Sequence, residues 1–206
     1  LLIFALDAAA GTGLLMRDIW TLVQGVVAVS LAYAVGQLVA GASSFLFEKI
    51  LVGKILGYPR NVLFGQPKAW KWVRKLIPGY FEPLPDPTQK AALEKGGKAG
   101  GNSPGEALFW LAFANARATQ PVMARLNDFL NLYGFCRNTA LVAFIDAGIF
   151  YWSYLQPNGP VEHLLWSHIA LVGGIGMTLR YLKFFRHYSV EVFTSFAYAK
   201  EQVTTP

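Results

Sequence analysis

Three long apolar stretches dominate the pattern of hydrophobic and polar positions along this chain. The first, 19–47, contains no Asp, Glu, Lys, Arg or His, and as a helix it would be roughly 43 Å long. The second, 138–155, and the third, 161–179, are separated by the turn-forming sequence of 156–160. Since about 20 apolar residues suffice to cross a bilayer, the pattern predicts three transmembrane helices.

The polar segments between these stretches complete the predicted architecture. We expect an all-α, polytopic integral membrane protein with three transmembrane helices and additional amphipathic cytoplasmic helices. In chain order the predicted segments are an extracytoplasmic N-terminal segment (1–18), transmembrane helix 1 (19–47), a basic amphipathic cytoplasmic segment (48–81), a flexible linker (82–105), a cytoplasmic or interfacial helix (106–136), transmembrane helix 2 (137–155), an extracytoplasmic turn (156–160), transmembrane helix 3 (161–180) and a cytoplasmic amphipathic tail (181–206).

The region before the second span contains two features that bear on the number of crossings. Residues 82–105 are rich in Pro and Gly and poor in large apolar residues, which favours an exposed, partly disordered linker. The apolar run 107–116 has ten residues, too few for a crossing, so we expect a buried, re-entrant or interfacial helix. That helix is predicted to open at Ser103 and Pro104 and to be kinked at Pro121.

The composition agrees with a membrane location. Of the 206 residues, 54% are hydrophobic and 15% are charged, whereas a soluble domain averages about 25% charged residues. The single cysteine, Cys136, excludes an internal disulfide framework, and three histidines leave little for a metal site. We therefore predict no cofactor, and bound lipid as the expected non-protein component.

The distribution of the positive charge predicts the orientation. Twelve Lys and Arg residues lie between Glu48 and Asp128, and four follow the third span, whereas Arg17 is alone on the other side. Because cytoplasmic loops carry the excess of Lys and Arg, the N-terminus is predicted outside and the C-terminus in the cytoplasm. The expected location is a plasma membrane, in a bacterium the inner membrane.

Part of this basic charge lies on an amphipathic segment, 68–80, whose tryptophans and lysines are typical of a helix on an anionic membrane surface. A helix packed on its own domain is an equally good interpretation, and nucleic acid is a weaker one. The predicted membrane-surface or anion-binding residues are Lys68, Lys71, Arg74, Lys75, Arg117, Arg125, Arg180 and Arg186.

The first span also carries small residues at every fourth position, and the third span contains a cluster of glycines. Small residues at this spacing let helices approach closely in lipid, so we predict a homo-oligomer or a complex with other membrane subunits. The residues of this helix-packing face are Ala28, Ala32, Gly36, Ala40, Ser44, Gly173, Gly174 and Gly176.

Asp146 and His168 are titratable residues in the interior of the second and third predicted spans. An isolated carboxylate at that depth costs about 2.5–3.5 kcal/mol on insertion scales, and the two side chains would come within reach if the helices form a hairpin. We expect an intramembrane polar pair, either a structural hydrogen bond or a proton- or ion-responsive site.

These features favour a non-enzymatic integral membrane protein that acts as an oligomer or as a subunit of a larger membrane assembly. A channel-forming or ligand-gated membrane effector is the most concrete version. The alternatives are a proton-coupled transport subunit or small membrane enzyme that uses Asp146 and His168, and an accessory lipid- or pigment-binding subunit of a large membrane complex. No catalytic constellation or metal-ligand motif is recognisable in the sequence.

Overall fold

The structure, a computed structural model, describes residues 2–13, 21–98 and 104–199. Helices make up 84% of it, and the described residues form no strand. The predicted all-α class is therefore confirmed. Residues 14–18 of the predicted N-terminal segment, as well as Ser103, lie outside the described residues.

Nine α-helices and one π-helical segment make up the described chain. In order they are α1 (Leu2–Ala10), α2 (Leu22–Ser43), the π-helical segment (Ser44–Leu56), α3 (Pro59–Val62), α4 (Lys71–Leu76), α5 (Pro78–Phe81), α6 (Asp86–Lys98), α7 (Glu106–Arg117), α8 (Gln120–Tyr154) and α9 (Val161–Tyr198). The start of α2 is fixed by a capping box, in which Thr21 and Gln24 each bond the other's backbone N–H.

The chain divides into two compact units. The first unit comprises Leu1–Glu48 and Gly134–Arg180, and the second comprises Lys49–Tyr133 and Tyr181–Pro206. The first unit thus contains nearly all of the three stretches predicted to span the membrane. The second contains nearly all of the segments predicted to be cytoplasmic.

The first unit has an apolar exterior and several polar side chains in its interior. Its buried polar residues are Ser43, Asp146, Ser153 and Ser167. Large apolar side chains of α2, α8 and α9 are instead exposed, among them Val26, Val29, Leu31, Leu38, Ile145, Leu165, Ile169, Val172 and Ile175. Soluble domains bury most side chains of this kind.

One helical stretch of the described chain, Leu22–Val62, is long and apolar enough to cross a membrane, and the most apolar part of it contains no buried residue. The predicted second and third spans belong to the longer helices α8 and α9, which do not meet the same criterion. Asp146 in α8 and Glu162, His163 and His168 in α9 lower the apolar character of those two stretches. The prediction of three crossings is therefore not confirmed by length and composition.

The second unit has the opposite organisation, with a core of aliphatic and aromatic side chains. Phe193 of α9 lies at its centre and makes edge-to-face contacts with Phe64 at 5.0 Å and with Phe109 at 5.9 Å between ring centroids. The core residues are Leu63, Leu84, Ala92, Leu108, Ala112, Ala116, Val122, Leu126, Val192, Phe193 and Phe196. Burial of these side chains gives the second unit its own hydrophobic core.

Helix α6 occupies much of the predicted flexible linker 82–105. Thr88, Ala92 and Gly96 are buried at a spacing of four residues, so small side chains rather than large ones form its inner face. Two contacts fasten the helix: Thr88 Oγ1 lies 3.1 Å from Tyr198 Oη, and Lys95 Nζ donates to the Ala199 carbonyl at 2.7 Å. The low content of large apolar residues therefore does not make 86–98 disordered, because small side chains pack the inner face of α6.

Two other predicted elements have different boundaries. Pro121 does not kink a continuous helix, because α7 ends at Arg117 and Pro121 lies in the first turn of α8, where its missing N–H costs nothing. The amphipathic segment 68–80 forms two short helices, α4 and α5, because Ile77 before Pro78 leaves the helical conformation.

The second unit contains a buried phenol whose hydrogen bond holds the turn after the π-helical segment. Tyr80 is 4% exposed, and its hydroxyl donates to the Gly57 carbonyl at 2.7 Å. Gly57 has φ +93°, and a Cβ there would lie 3.1 Å from the Lys68 backbone nitrogen, so only glycine fits without strain. Burial, with a smaller contribution from Tyr58, raises the pKa of Tyr80.

Replacing this phenol gives a pH-dependent prediction. In the unfolded chain a tyrosine ionises at about pH 10, whereas the folded state keeps Tyr80 neutral. The contribution of the Tyr80 hydroxyl to the free energy of unfolding is therefore complete below pH 10 and is lost as the pH rises above that value. We expect Tyr80→Phe to lower the free energy of unfolding by about 1 kcal/mol at pH 8. The difference in the free energy of unfolding between wild type and Tyr80→Phe, measured by chemical denaturation, should shrink between pH 10 and 11.

The matched control is Tyr33→Phe, at a position that is 70% exposed. It should change the free energy of unfolding by less than about 0.5 kcal/mol. A difference in the free energy of unfolding between wild type and Tyr80→Phe that stays constant from pH 8 to pH 11 would contradict the buried, neutral state of the Tyr80 hydroxyl.

Candidate functional site

A polar network joins α2 to α8 within the first unit. The Arg137 guanidinium forms an ion pair with Glu48 and donates from Nε to Ser43 Oγ at 3.1 Å. The Ser43 hydroxyl in turn donates to Asn138 Oδ1 at 2.5 Å. Arg137 Nη2 also lies 3.4 Å from the Ala40 carbonyl oxygen. Four side chains and one backbone carbonyl thus converge at the end of α2.

This network was not predicted from the sequence, although its members were visible there. Glu48 ends the first predicted span and Arg137 begins the second, on the same predicted side of the membrane. Their side chains are 28% and 12% exposed, so water screens the pair less than it would on an open surface. Opposite charges at neighbouring span ends were the signal that could have identified it.

Asp146 lies in the wall of a cavity of about 290 Å³ within the first unit. The residue is 5% exposed, and its Oδ1 has no hydrogen-bond partner among the described residues. The cavity is formed by α1, α8 and α9, with the aromatic rings of Phe4, Phe150 and Trp166 in its wall. A buried carboxyl group therefore faces an apolar space.

The structure does not bring Asp146 and His168 together. His168 is exposed, and its Nδ1 donates to the Leu164 carbonyl in its own helix at 2.7 Å. The polar contacts between α8 and α9 are made by other residues. Ser167 Oγ donates to the Ala147 carbonyl at 2.8 Å, and Ser153 Oγ lies 3.0 Å from His163 Nδ1.

The glycines of the predicted packing face in α9 have different surroundings. Gly174 is buried, and a Cβ there would lie 2.9 Å from the Phe144 ring of α8, so this glycine permits a close approach of the two helices. Gly173 lines the cavity next to Asp146. A Cβ at Gly173 or Gly176 would meet no atom within 4 Å.

The small residues of α2 make few contacts within the chain. Ala32 and Gly36 border an opening of about 370 Å³, whose other walls come from α1 and α8. Ala40 approaches Arg137 through its carbonyl, while Ala28 and Ser44 are half-buried. Most of this face is therefore not filled by side chains of the described residues.

The predicted cationic residues that follow the 68–75 segment differ in their contacts. Arg125 pairs with Glu191 at 2.7 Å, and Arg186 pairs with Glu82 at 3.8 Å while donating to the Glu82 carbonyl at 2.8 Å. Arg117 lies 5.9 Å from the Phe113 ring centroid. Arg180, by contrast, belongs to the first unit, where it lies near the Cys136 side chain.

Two of the four basic residues of 68–75 bond backbone carbonyls rather than acids. Lys68 Nζ donates to Gly53 and Arg74 Nε donates to Ala69. Lys71 and Lys75 are exposed beside Trp70 and Trp72, which are 70% and 63% exposed and stack at 6.4 Å between ring centroids. Of the apolar residues Ala69, Trp70, Val73, Leu76 and Ile77, which would share one face of a single helix, only Ala69 and Val73 are buried.

Comparisons with protein-family models, with curated proteins and with solved structures find no match to this chain. Within the described residues, no group of three or more His, Cys, Asp or Glu side chains is placed to hold a metal ion. The first unit thus offers two chemically distinct features, the Arg137 network and the Asp146 cavity.

The Arg137 network gives a prediction about stability. We expect Arg137→Met to lower the free energy of unfolding, measured by SDS titration of the detergent-solubilised chain, by about 2–4 kcal/mol, because it leaves the Glu48 carboxylate without its partner. A double-mutant cycle with Glu48→Gln should give a coupling energy of about 2 kcal/mol.

The Arg60–Glu106 pair is the matched control. Its partners are 3.0 Å apart and 21% and 63% exposed, so its coupling energy should be below about 1 kcal/mol. Equal coupling energies in the two cycles would show that the Arg137 network is not special to the first unit.

Proposed function

We propose that this protein is a non-enzymatic integral membrane protein with three transmembrane helices, and that it works as an oligomer or as a subunit of a larger membrane assembly. The single observation that carries the proposal is the polarity of the first unit. Large apolar side chains cover its exterior, while a carboxyl group and three serines lie inside. Such a surface is stable in lipid and unfavourable in water.

The hydrogen bonds between helices support the same environment. Ser167 bonds a backbone carbonyl of the neighbouring helix, and Gly174 lets that helix approach closely. Helices in lipid lack a hydrophobic drive to associate, and they pack through small residues and interhelical hydrogen bonds of this kind. Helices α8 and α9 then cross the membrane in spite of their titratable residues.

The assembly surface in this proposal is the small-residue face of α2. This helix has one buried residue, Ser43, and the positions of Ala32 and Gly36 border an opening. A helix from a second copy or from another subunit would fill that space and approach the α2 backbone closely.

The second unit supplies the cytoplasmic side of the proposed protein. Trp70, Trp72 and Leu76 are exposed, and Lys71 and Lys75 lie among them. Tryptophan and lysine side chains together favour the headgroup region of an anionic bilayer, with rings in the interface and ammonium groups on the phosphates. The lipid partner predicted from the sequence thus has a chemically suited surface.

Cysteine labelling tests the membrane topology. We expect Gln156→Cys, in a Cys136→Ala background, to react with a membrane-impermeant maleimide in intact cells. Gln66→Cys should react only after permeabilisation. Both positions are exposed, so a difference in labelling between them reports on which side of the membrane each position lies. Labelling of the two positions from the same side would refute three crossings, and release of the chain by alkaline carbonate would refute integration.

A pair of substitutions in α2 tests the assembly surface. Ala32 belongs to the small-residue face, whereas Ala34 lies about 200° away around the helix and is also exposed. We expect Ala32→Leu to lower the native mass in mild detergent by removing close helix contact, and Ala34→Leu to leave it unchanged. A monomeric wild type without other subunits would refute the assembly role.

A further inference from the structure

The cavity beside Asp146 has the composition of a binding site for a small amphiphile. Its volume of about 290 Å³ is at the lower end of the range for ligand pockets, about 300–1,000 Å³. The wall has one acidic side chain, Asp146, and two other polar ones, Thr139 and Trp166. The rest of the wall is apolar, so a ligand with one polar end and a hydrocarbon body fits it.

The Asp146 carboxyl group determines the polar end of that ligand. It is 5% exposed, its Oδ1 has no hydrogen-bond partner among the described residues, and His168 is turned to its own helix. A buried carboxylate without a donor is costly, and a cation that enters the cavity would remove this cost. An anionic ligand would instead be repelled.

The aromatic side chains favour an organic cation over a metal ion. Phe4, Phe150 and Trp166 surround the space near Asp146, and the faces of such rings attract ammonium groups. Calcium takes six to eight oxygen ligands, whereas this wall offers the carboxyl group and the Thr139 hydroxyl. An alkyl or aryl ammonium ion needs only one such acceptor and places its hydrocarbon body on the apolar wall.

We propose that the Asp146 cavity of the first unit binds a small amphiphilic organic ammonium ion, with the ammonium group on the Asp146 carboxylate and the hydrocarbon body among the aromatic rings. None of the residues that line this cavity belongs to α2, although Thr139 and α1 border both the cavity and the opening beside α2. The proposed membrane role does not depend on ligand binding here, so failure of this site would leave that role unaffected.

Calorimetric titration of the full chain in a neutral detergent tests this site. The probes are hexylammonium and 1-hexanol, which share a chain length and differ in charge. We expect the wild type to bind hexylammonium at least about tenfold more tightly than hexanol. Asp146→Asn, which keeps the shape and removes the charge, should abolish that preference. Glu162→Gln, which removes an exposed carboxylate from α9, should retain it.

A second variant keeps the test decisive if Asp146→Asn fails to fold. A Cβ at Gly173 meets no atom within 4 Å, and this residue lines the cavity, so Gly173→Leu places a side chain in the cavity and leaves Asp146 intact. It should abolish binding of both probes. Equal affinities of the wild type for the two probes, no binding of either, a preference for hexylammonium retained in Asp146→Asn, or binding of either probe retained in Gly173→Leu would each overturn the proposal.

Discussion

The position of α2 in the first unit depends on Arg137. This helix has one buried residue along its length, Ser43, and that residue is part of the Arg137 network. The guanidinium bonds the Glu48 carboxylate, the Ser43 hydroxyl and the Ala40 carbonyl, so a single side chain of α8 satisfies acceptors from the last turn of α2 and from the π-helical segment that follows it. The other end of α2 has no comparable polar contact among the described residues. Helix α2 is therefore held at one end, and the opening beside Ala32 and Gly36 lies along the remainder.

The two units bury different kinds of side chains although α8 and α9 contribute to both. In α9, Leu165, Ile169 and Val172 are exposed in the first unit, while Val192 and Phe193 are fully buried in the second. A helix can make this change without a break because its backbone hydrogen bonds are satisfied within the helix itself. Along such a helix only the location of the large apolar side chains changes, from the exposed face in the first unit to the buried face in the second. The division of the chain at Glu48, Gly134 and Arg180 marks where that change occurs.

The sequence predicted the features that arise from local composition. The helical class, the apolar helix over 22–43 and the exceptional position of Asp146 all follow from periodicity and from the rarity of charge. The Arg137–Glu48 pair joins residues 89 apart, and no local pattern reports such a contact. The linker 82–105 was misread because Thr88, Ala92 and Gly96 pack through small side chains, which a count of large apolar residues overlooks. Similarly, the pairing of Asp146 with His168 required a relative rotation of two helices that their separate sequences do not specify.

The positive charges of the second unit separate into two physical roles. Arg125 and Arg186 are neutralised by Glu191 and Glu82, so they contribute to the folding of the unit more than to its external field. Lys71 and Lys75, beside two exposed tryptophans, have no acidic partner of this kind in the described chain. Since attraction to a charged surface falls off within a Debye length of about 8–10 Å, these two lysines contribute more to the external field of the unit than the paired arginines do. A count of Lys and Arg treats all of these charges alike, whereas the contacts of each side chain show which of them have an acidic partner.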